Sequence, residues 1–157
     1  MTEPYQPPVT EPRQRSEGKL FTVQGIVIGT LLGSLAAGVV MLYLNYRTLN
    51  RLSLAQKLAA WGTALYVALV MVATLVPNSP IFGAVFIVLQ ALVAYFLADR
   101  LQGAAISYHL GHDGQMHSNM KAAGVGFLTG MAMIFLLLIA GIIWTVLTGA
   151  APANPAA

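Results

Sequence analysis

The fold is decided by the stretch GIVIGTLLGSLAAG at residues 25–38. Small residues recur in it at every fourth position, at Gly25, Gly29, Gly33 and Ala37. This spacing places them on one face of a helix, and in a membrane such a face lets two helix backbones approach closely. The last apolar stretch repeats the pattern with Gly126 and Gly130. We therefore predict helix packing through these faces, either within the chain or against a second copy.

Four apolar stretches make up most of the chain, and each is long enough to cross a bilayer, which takes about 20 residues. The predicted spans are residues 22–44, 58–76, 81–98 and 122–147. All 8 prolines lie outside them, so we expect every span to be an unbroken helix. The sequence thus predicts an all-α integral membrane protein with a four-transmembrane-helix bundle.

The composition agrees with a membrane protein, since 57% of the residues are hydrophobic, 8% are charged and the mean hydropathy is +0.73. A soluble domain would have too few charges to cover its surface. The chain has no cysteine, which excludes disulfides and thiolate chemistry. The net charge of +3 is spread over the connections and the tail, which favours contact with lipid headgroups over nucleic acid.

The two ends of the chain differ in composition from the spans. Residues 1–20 combine prolines with polar and charged residues, and we predict a disordered tail. Residues 149–157 are small and uncharged and are expected to be flexible. Between spans two and three, the segment from Pro77 to Pro80 predicts a tight turn.

Basic residues near span ends suggest an orientation, because connections on the cytoplasmic side carry more Lys and Arg. The two longer connections hold five basic residues and the N-terminal tail holds three. We therefore expect the longer connections in the cytoplasm and both termini outside. In the first connection, Arg47, Arg51 and Lys57 are predicted to contact headgroups or a partner.

Polar residues inside the spans are few, and none is charged. Gln90 lies near the middle of the third span, where a glutamine is expected to hydrogen-bond a neighbouring helix or to line a path for a solute. Ion-coupled transporters and pumps usually carry charged residues within their spans. The absence of such charged residues therefore disfavours a pump or a secondary transporter.

The histidines of the chain are all in one short segment before the fourth span, with an aspartate among them. Imidazole and carboxylate groups are suitable ligands for zinc and other transition metals. The candidate ligands are His109, His112, Asp113 and His117. A solvated connecting loop explains the same residues, so we keep both interpretations.

The segment Gly33-Ser34-Leu35-Ala36-Ala37-Gly38, with the later motifs Asn45-Tyr46-Arg47 and Leu49-Asn50-Arg51, resembles a family of small, uncharacterised bacterial multi-span membrane proteins. Members of that family often read Gly-Gly-Pro-Leu-Ala-Gly, followed by an Asn-rich exit from the first helix. The resemblance implies a bacterial inner-membrane location. It implies no activity.

No group of residues forms a catalytic motif, so we assign no catalytic residue and no cofactor beyond a metal at the histidine segment. The expected function is a small membrane scaffold or accessory subunit that acts through helix packing and loop contacts. The alternatives are a small oligomeric channel or permease and, third, a metal-dependent membrane enzyme. The expected partners are the lipid bilayer and either further copies of the chain or a larger membrane complex, without nucleic acid.

Overall fold

The computed structural model describes residues 18–75 and 79–149. This part of the chain is helical and contains no strand. Its four helices are α1 (Val23–Thr48), α2 (Leu52–Leu75), α3 (Pro80–Gly111) and α4 (Asn119–Thr148). By length and composition, each is long and apolar enough to cross a membrane. The all-helical prediction is confirmed for the described residues. Most of the predicted disordered tail, the centre of the Pro77 turn and most of the flexible C-terminus lie outside the described residues.

Local sequence explains where the helices begin. The Thr22 hydroxyl accepts a hydrogen bond from Gly25 N at 2.9 Å and caps α1. Ser118 caps α4 in the same way, and Pro80 is at the start of α3, where its missing N–H costs nothing. Helix α3 extends beyond residue 98, the predicted end of the third span. Residues 99–111 contain no proline that would break a helix, and α3 continues to Gly111.

Helix α1 is a helical hairpin, not a single rod. Its backbone leaves helical geometry at Gly33 (φ −125°, ψ 15°) and Ser34 (φ 67°, ψ 179°). These two residues form the tip of the hairpin, residues 23–32 form its first arm and residues 35–48 form its second arm. The expectation that residues 22–44 form one unbroken span is therefore wrong, because a helix can be reversed by a Gly-Ser pair without any proline.

Contacts between the two arms establish the reversal. Phe21 N donates to Asn45 Oδ1 at 2.7 Å, and Asn45 Nδ2 donates to Phe21 O at 2.9 Å. In an uninterrupted helix these residues would be about 36 Å apart. Closer to the tip, a Cβ atom on Gly38 would lie 2.5 Å from the Thr30 hydroxyl. The arms thus run antiparallel, and both open at the same end.

The hairpin is the centre of the molecule. Helices α2, α3 and α4 each pack against α1, and in the described part of the chain the backbones of these three helices do not approach one another closely. Gly62 of α2 faces Val39 on the second arm. Helix α3 lies along the same arm, and α4 lies along the first arm. The buried core is accordingly concentrated around the hairpin.

The topology defines two ends, which we call the open end and the far end. The open end contains the segment before α1, the α1–α2 connection and the α3–α4 connection. It is closed by Leu20, whose N–H donates to Gln115 O at 3.2 Å and whose carbonyl accepts from His117 N at 2.8 Å. The end of α2, the start of α3 and the end of α4 form the far end. Residues 18–22 thus lie at the same end of the molecule as the α3–α4 connection, whereas the expected orientation put the N-terminus and the longer connections on opposite sides of the membrane.

Candidate functional site

The hairpin tip combines backbone strain with an unusual residue choice. Ser34 has φ 67° and ψ 179°, a region that is almost confined to glycine and costs on the order of 1–3 kcal/mol for other residues. Strain of this kind persists only where the surrounding structure holds it. The tip is therefore a candidate site on geometry alone.

A glutamine from α3 stabilises the start of the second arm. Gln90 Oε1 accepts a hydrogen bond from Leu35 N at 2.8 Å, so it satisfies a donor that the reversal removes from the helix. The Gln90 side chain is only 6% exposed. Its Nε2 atom, however, has no hydrogen-bond partner among the described residues.

The Ser34 hydroxyl is a second polar group at the tip without a partner. Its oxygen is buried and makes no hydrogen bond within residues 18–75 and 79–149. An unpaired buried hydroxyl is costly unless water or a ligand completes it. Ser34 and Gln90 thus offer donors and an acceptor at one place.

Both residues line a cleft of about 240 Å³. The hairpin tip forms one end of the cleft, and side chains from all three outer helices form its walls. Its lining residues are Thr30, Leu31, Leu32, Gly33, Ser34, Tyr66, Ile87, Gln90, Gly130, Met133, Ile134 and Leu137. None of them is charged, so the cleft suits an uncharged polar molecule better than an ion.

The small residues hold the tip against α4. A Cβ atom on Gly25 would lie 3.2 Å from Ala122 Cβ, and one on Gly130 would lie 3.1 Å from Gly33 Cα. Gly126 packs directly on the backbone of Gly29. The predicted small-residue faces of the first and last apolar stretches thus meet each other within one chain, while Ala37 is fully buried in the hairpin.

A buried amide network closes the open end, and sequence reasoning missed it. Asn45 holds both backbone polar groups of Phe21, and its Nδ2 also donates to Gln102 Oε1 at 2.9 Å. Gln102 Nε2 in turn donates to Leu42 O at 2.8 Å. Both amide side chains are 1% exposed. Gln102 lies in a polar part of α3 that was predicted to be a connection, so no sequence pattern paired it with Asn45.

In the described structure, the candidate ligands of the histidine segment are not grouped together. His112 Nδ1 lies 2.9 Å from Tyr108 O and its ring packs on the Tyr108 ring, while the His117 ring packs on Phe21 at 4.4 Å between centroids. His109 is still within α3, and Asp113 has a positive φ of 57°. Among the described residues, no three His, Asp or Glu side chains are grouped so that they could hold a metal ion.

The three basic residues of the first connection have different surroundings. The Arg47 guanidinium lies 6.0 Å from the centre of the Tyr43 ring, at the limit of a cation–π contact. Arg51 follows the end of α1 and is exposed. Lys57 is in the first turns of α2 and lines a second cleft, which lies between α2 and α3.

His117 predicts a pH dependence of stability. Burial, followed by the positive charges of Lys121 and Lys19, lowers the pKa of His117 from its usual value. The folded chain then binds fewer protons than the unfolded chain, so stability is greatest above about pH 6.5 and falls as the pH drops toward the folded-state pKa. We expect thermal unfolding in detergent to detect this fall, and His117→Gln to reduce it. An unchanged pH dependence in His117→Gln would contradict the assignment.

No protein-family model matches the chain, and neither a curated protein nor a solved structure is significantly similar to it.

Proposed function

We propose that α2, α3 and α4 cross a bilayer and that the α1 hairpin enters and leaves it on one side. The three crossing helices have the length and hydropathy for this role. The hairpin arms are about 15 and 21 Å long, compared with about 30 Å for the hydrocarbon core. The tip then lies near the middle of the membrane.

The distribution of charge supports an orientation with the open end in the cytoplasm. Neither residues 62–98 nor residues 122–157 contain any Lys, Arg, Asp or Glu. With the hairpin topology, all 8 basic residues belong to the open end or to the chain segment preceding it, which matches the positive-inside rule. The resemblance to bacterial multi-span proteins favours the inner membrane.

Within this arrangement, we propose that the protein is a subunit of a small oligomeric channel or permease for small uncharged polar solutes. One observation carries the proposal: the helix reverses at Gly33 and Ser34, and an uncharged cleft is lined there by Gln90 and by Ser34, whose buried hydroxyl has no partner among the described residues. Non-helical backbone at that depth is tolerated where it is buried in protein or lines a cavity with water. Many transporters build their substrate sites on such interrupted helices.

Association of several copies is part of the proposal. In the described part of the chain the backbones of α2, α3 and α4 do not approach one another closely, and the cleft between these helices is walled by side chains. Neighbouring copies would complete these walls and separate a polar solute from lipid.

The experiment is solute flux into liposomes that contain only this protein, measured by light scattering with glycerol and urea as probes. Ser34→Gly removes the hydroxyl and permits the positive φ, so we expect a stability gain of about 1–2 kcal/mol together with a loss of most of the flux. Ser53→Gly, on an exposed position of α2, is the control and should keep the flux. Flux no greater than in empty liposomes, or an unchanged rate in Ser34→Gly, would overturn the proposal.

An accessory subunit is the second candidate, and a different observation favours it. Only Ala55 and Gly62 are buried in α2, and only Ala122 and Gly126 in α4. The remaining faces of these helices are available to another membrane protein as well as to lipid. Isolation in mild detergent distinguishes the two: a second polypeptide at a fixed ratio, with no flux from the protein alone, supports the accessory role.

A further inference from the structure

A second cleft lies between α2 and α3 and shares no lining residue with the cleft at the tip. Its volume is about 290 Å³, and the second arm of the hairpin forms its floor. The lining residues are Val39, Tyr46, Leu54, Lys57, Leu58, Trp61, Gly62, Leu65, Leu97 and Leu101. We call this cleft the lateral groove.

The polar groups of the lateral groove are few and differ in their availability. The Tyr46 hydroxyl already donates to Leu101 O at 3.1 Å. Lys57 is exposed and makes no ion pair with any residue in the described part of the chain. Its ammonium group is thus the one formal charge in the lining, and it is available to an anion.

The order of residues along α2 gives the groove a direction. Leu54 and Lys57 are in the first turns of the helix, near the open end, whereas Trp61 and Leu65 follow deeper along it. Trp61 is 77% exposed, and tryptophan is enriched where headgroups meet acyl chains. From the open end inward, the α2 side of the groove therefore presents Lys57 among leucines, then the Trp61 ring, and beyond it only small and aliphatic residues.

No carboxylate competes for Lys57 within the lining. The nearest acidic residue along α3 is Asp99, whose Oδ1 lies 3.1 Å from the position of a Cβ on Gly103. Leu97 and Leu101, which do line the groove, are each two residues from Asp99, or about 200° around the helix. Asp99 is therefore on the other side of α3.

We infer that the lateral groove binds one acyl chain of an anionic phospholipid, with the lipid phosphate at Lys57. The aliphatic part of the groove matches an acyl chain, and the unpaired ammonium matches a negative headgroup. The inference rests on membrane insertion, and it does not depend on solute transport at the tip. It assigns a lipid site to a residue that the sequence associates only generally with headgroups.

Quenching of Trp61 fluorescence by brominated phospholipids tests the site. The chain has 2 tryptophans, so Trp144→Phe leaves Trp61 as the only one. In bilayers of phosphatidylcholine, we expect brominated phosphatidylglycerol to quench Trp61 with a relative association constant about five-fold higher than brominated phosphatidylcholine, which is the contribution of one lysine near a headgroup. Lys57→Gln in the same background should bring the ratio close to one.

Lys121→Gln is the matched control, because Lys121 is also basic and near the open end but does not line the groove. It should keep the preference, and Lys57→Arg should keep it as well. If Lys57→Gln fails to fold, the parent protein is measured with added salt. Salt must then lower the association constant of phosphatidylglycerol relative to phosphatidylcholine, without changing the quenching by brominated phosphatidylcholine. Equal quenching by both lipids, or an equal loss in Lys121→Gln, would overturn the inference.

Discussion

Gly126→Leu is expected to abolish the folded protein. A Cβ atom on Gly126 would lie 2.7 Å from Gly29 Cα and 2.9 Å from Gly29 C, and a backbone in a packed hairpin cannot move aside as a flexible side chain can. Inserting bulk into a well-packed core commonly costs about 1–3 kcal/mol, and a clash with backbone costs more. We expect no monodisperse protein in mild detergent, as measured by size-exclusion chromatography and thermal unfolding.

The control for this prediction is two residues away in the same helix. A Cβ atom on Gly124 would meet nothing within 4 Å, so Gly124→Leu adds the same side chain on an open face. It should give the yield and unfolding temperature of the parent protein. Similar behaviour of the two variants would mean that α4 does not pack on the hairpin through Gly126.

The second large effect is expected in the labelling of single-cysteine variants, because the hairpin determines from which side of the membrane each thiol reacts. The chain has no cysteine of its own, so the labelling of each introduced thiol is measured without a background from other thiols. The hairpin places Lys19, Ser53 and Gln115 at the open end, and Ser79 and Thr148 at the far end. With a membrane-impermeant reagent on oriented vesicles, we expect the first three cysteine variants to react from one side and the last two only from the other.

The decisive comparison is Lys19→Cys with Ser53→Cys, because α1 separates these two positions. A helix that crossed the membrane once would put them on opposite sides, whereas a hairpin puts them on the same side. Reaction of Lys19→Cys together with Ser79→Cys would rule out the hairpin topology. Reaction of Ser53→Cys together with Ser79→Cys would rule out α2 as a crossing helix.

The sequence predicted the apolar helices and the surfaces through which two of them meet, because both follow from local patterns. Length and hydropathy identify an apolar stretch, and glycines at four-residue spacing identify a face on which backbones can approach. Gly29 and Gly126 illustrate this, since each was selected from spacing alone and the two backbones are in contact.

The reversal at Gly33 and Ser34 was not predicted, since the stretch has the length expected of a single crossing. Hydropathy does not distinguish one long helix from two short arms. The absence of proline was also misleading, because glycine flexibility and a strained serine turned the chain instead. The stabilising contact from Gln90 is between residues that are distant in sequence, and no local rule links it to Leu35.

The same reasoning explains the polar network at the open end. In the sequence, Asn45 belongs only to a motif after the first span. Its partners Phe21 and Gln102 are 24 and 57 residues away. Amide side chains are compatible with many partners. Only the antiparallel arms bring Asn45 to the backbone of Phe21.

The order of synthesis has a consequence for how the hairpin reaches its final position. Residues 23–48 are synthesised before α3 and α4. Their hydrogen-bonding partners Gln90 and Gln102 are on α3, and their packing partner Gly126 is on α4. Until α3 has been made, the Leu35 N–H lacks its acceptor, and an unsatisfied amide in hydrocarbon costs several kcal/mol. In the proposed membrane arrangement, the hairpin tip therefore becomes fully hydrogen-bonded only after α3 has been synthesised.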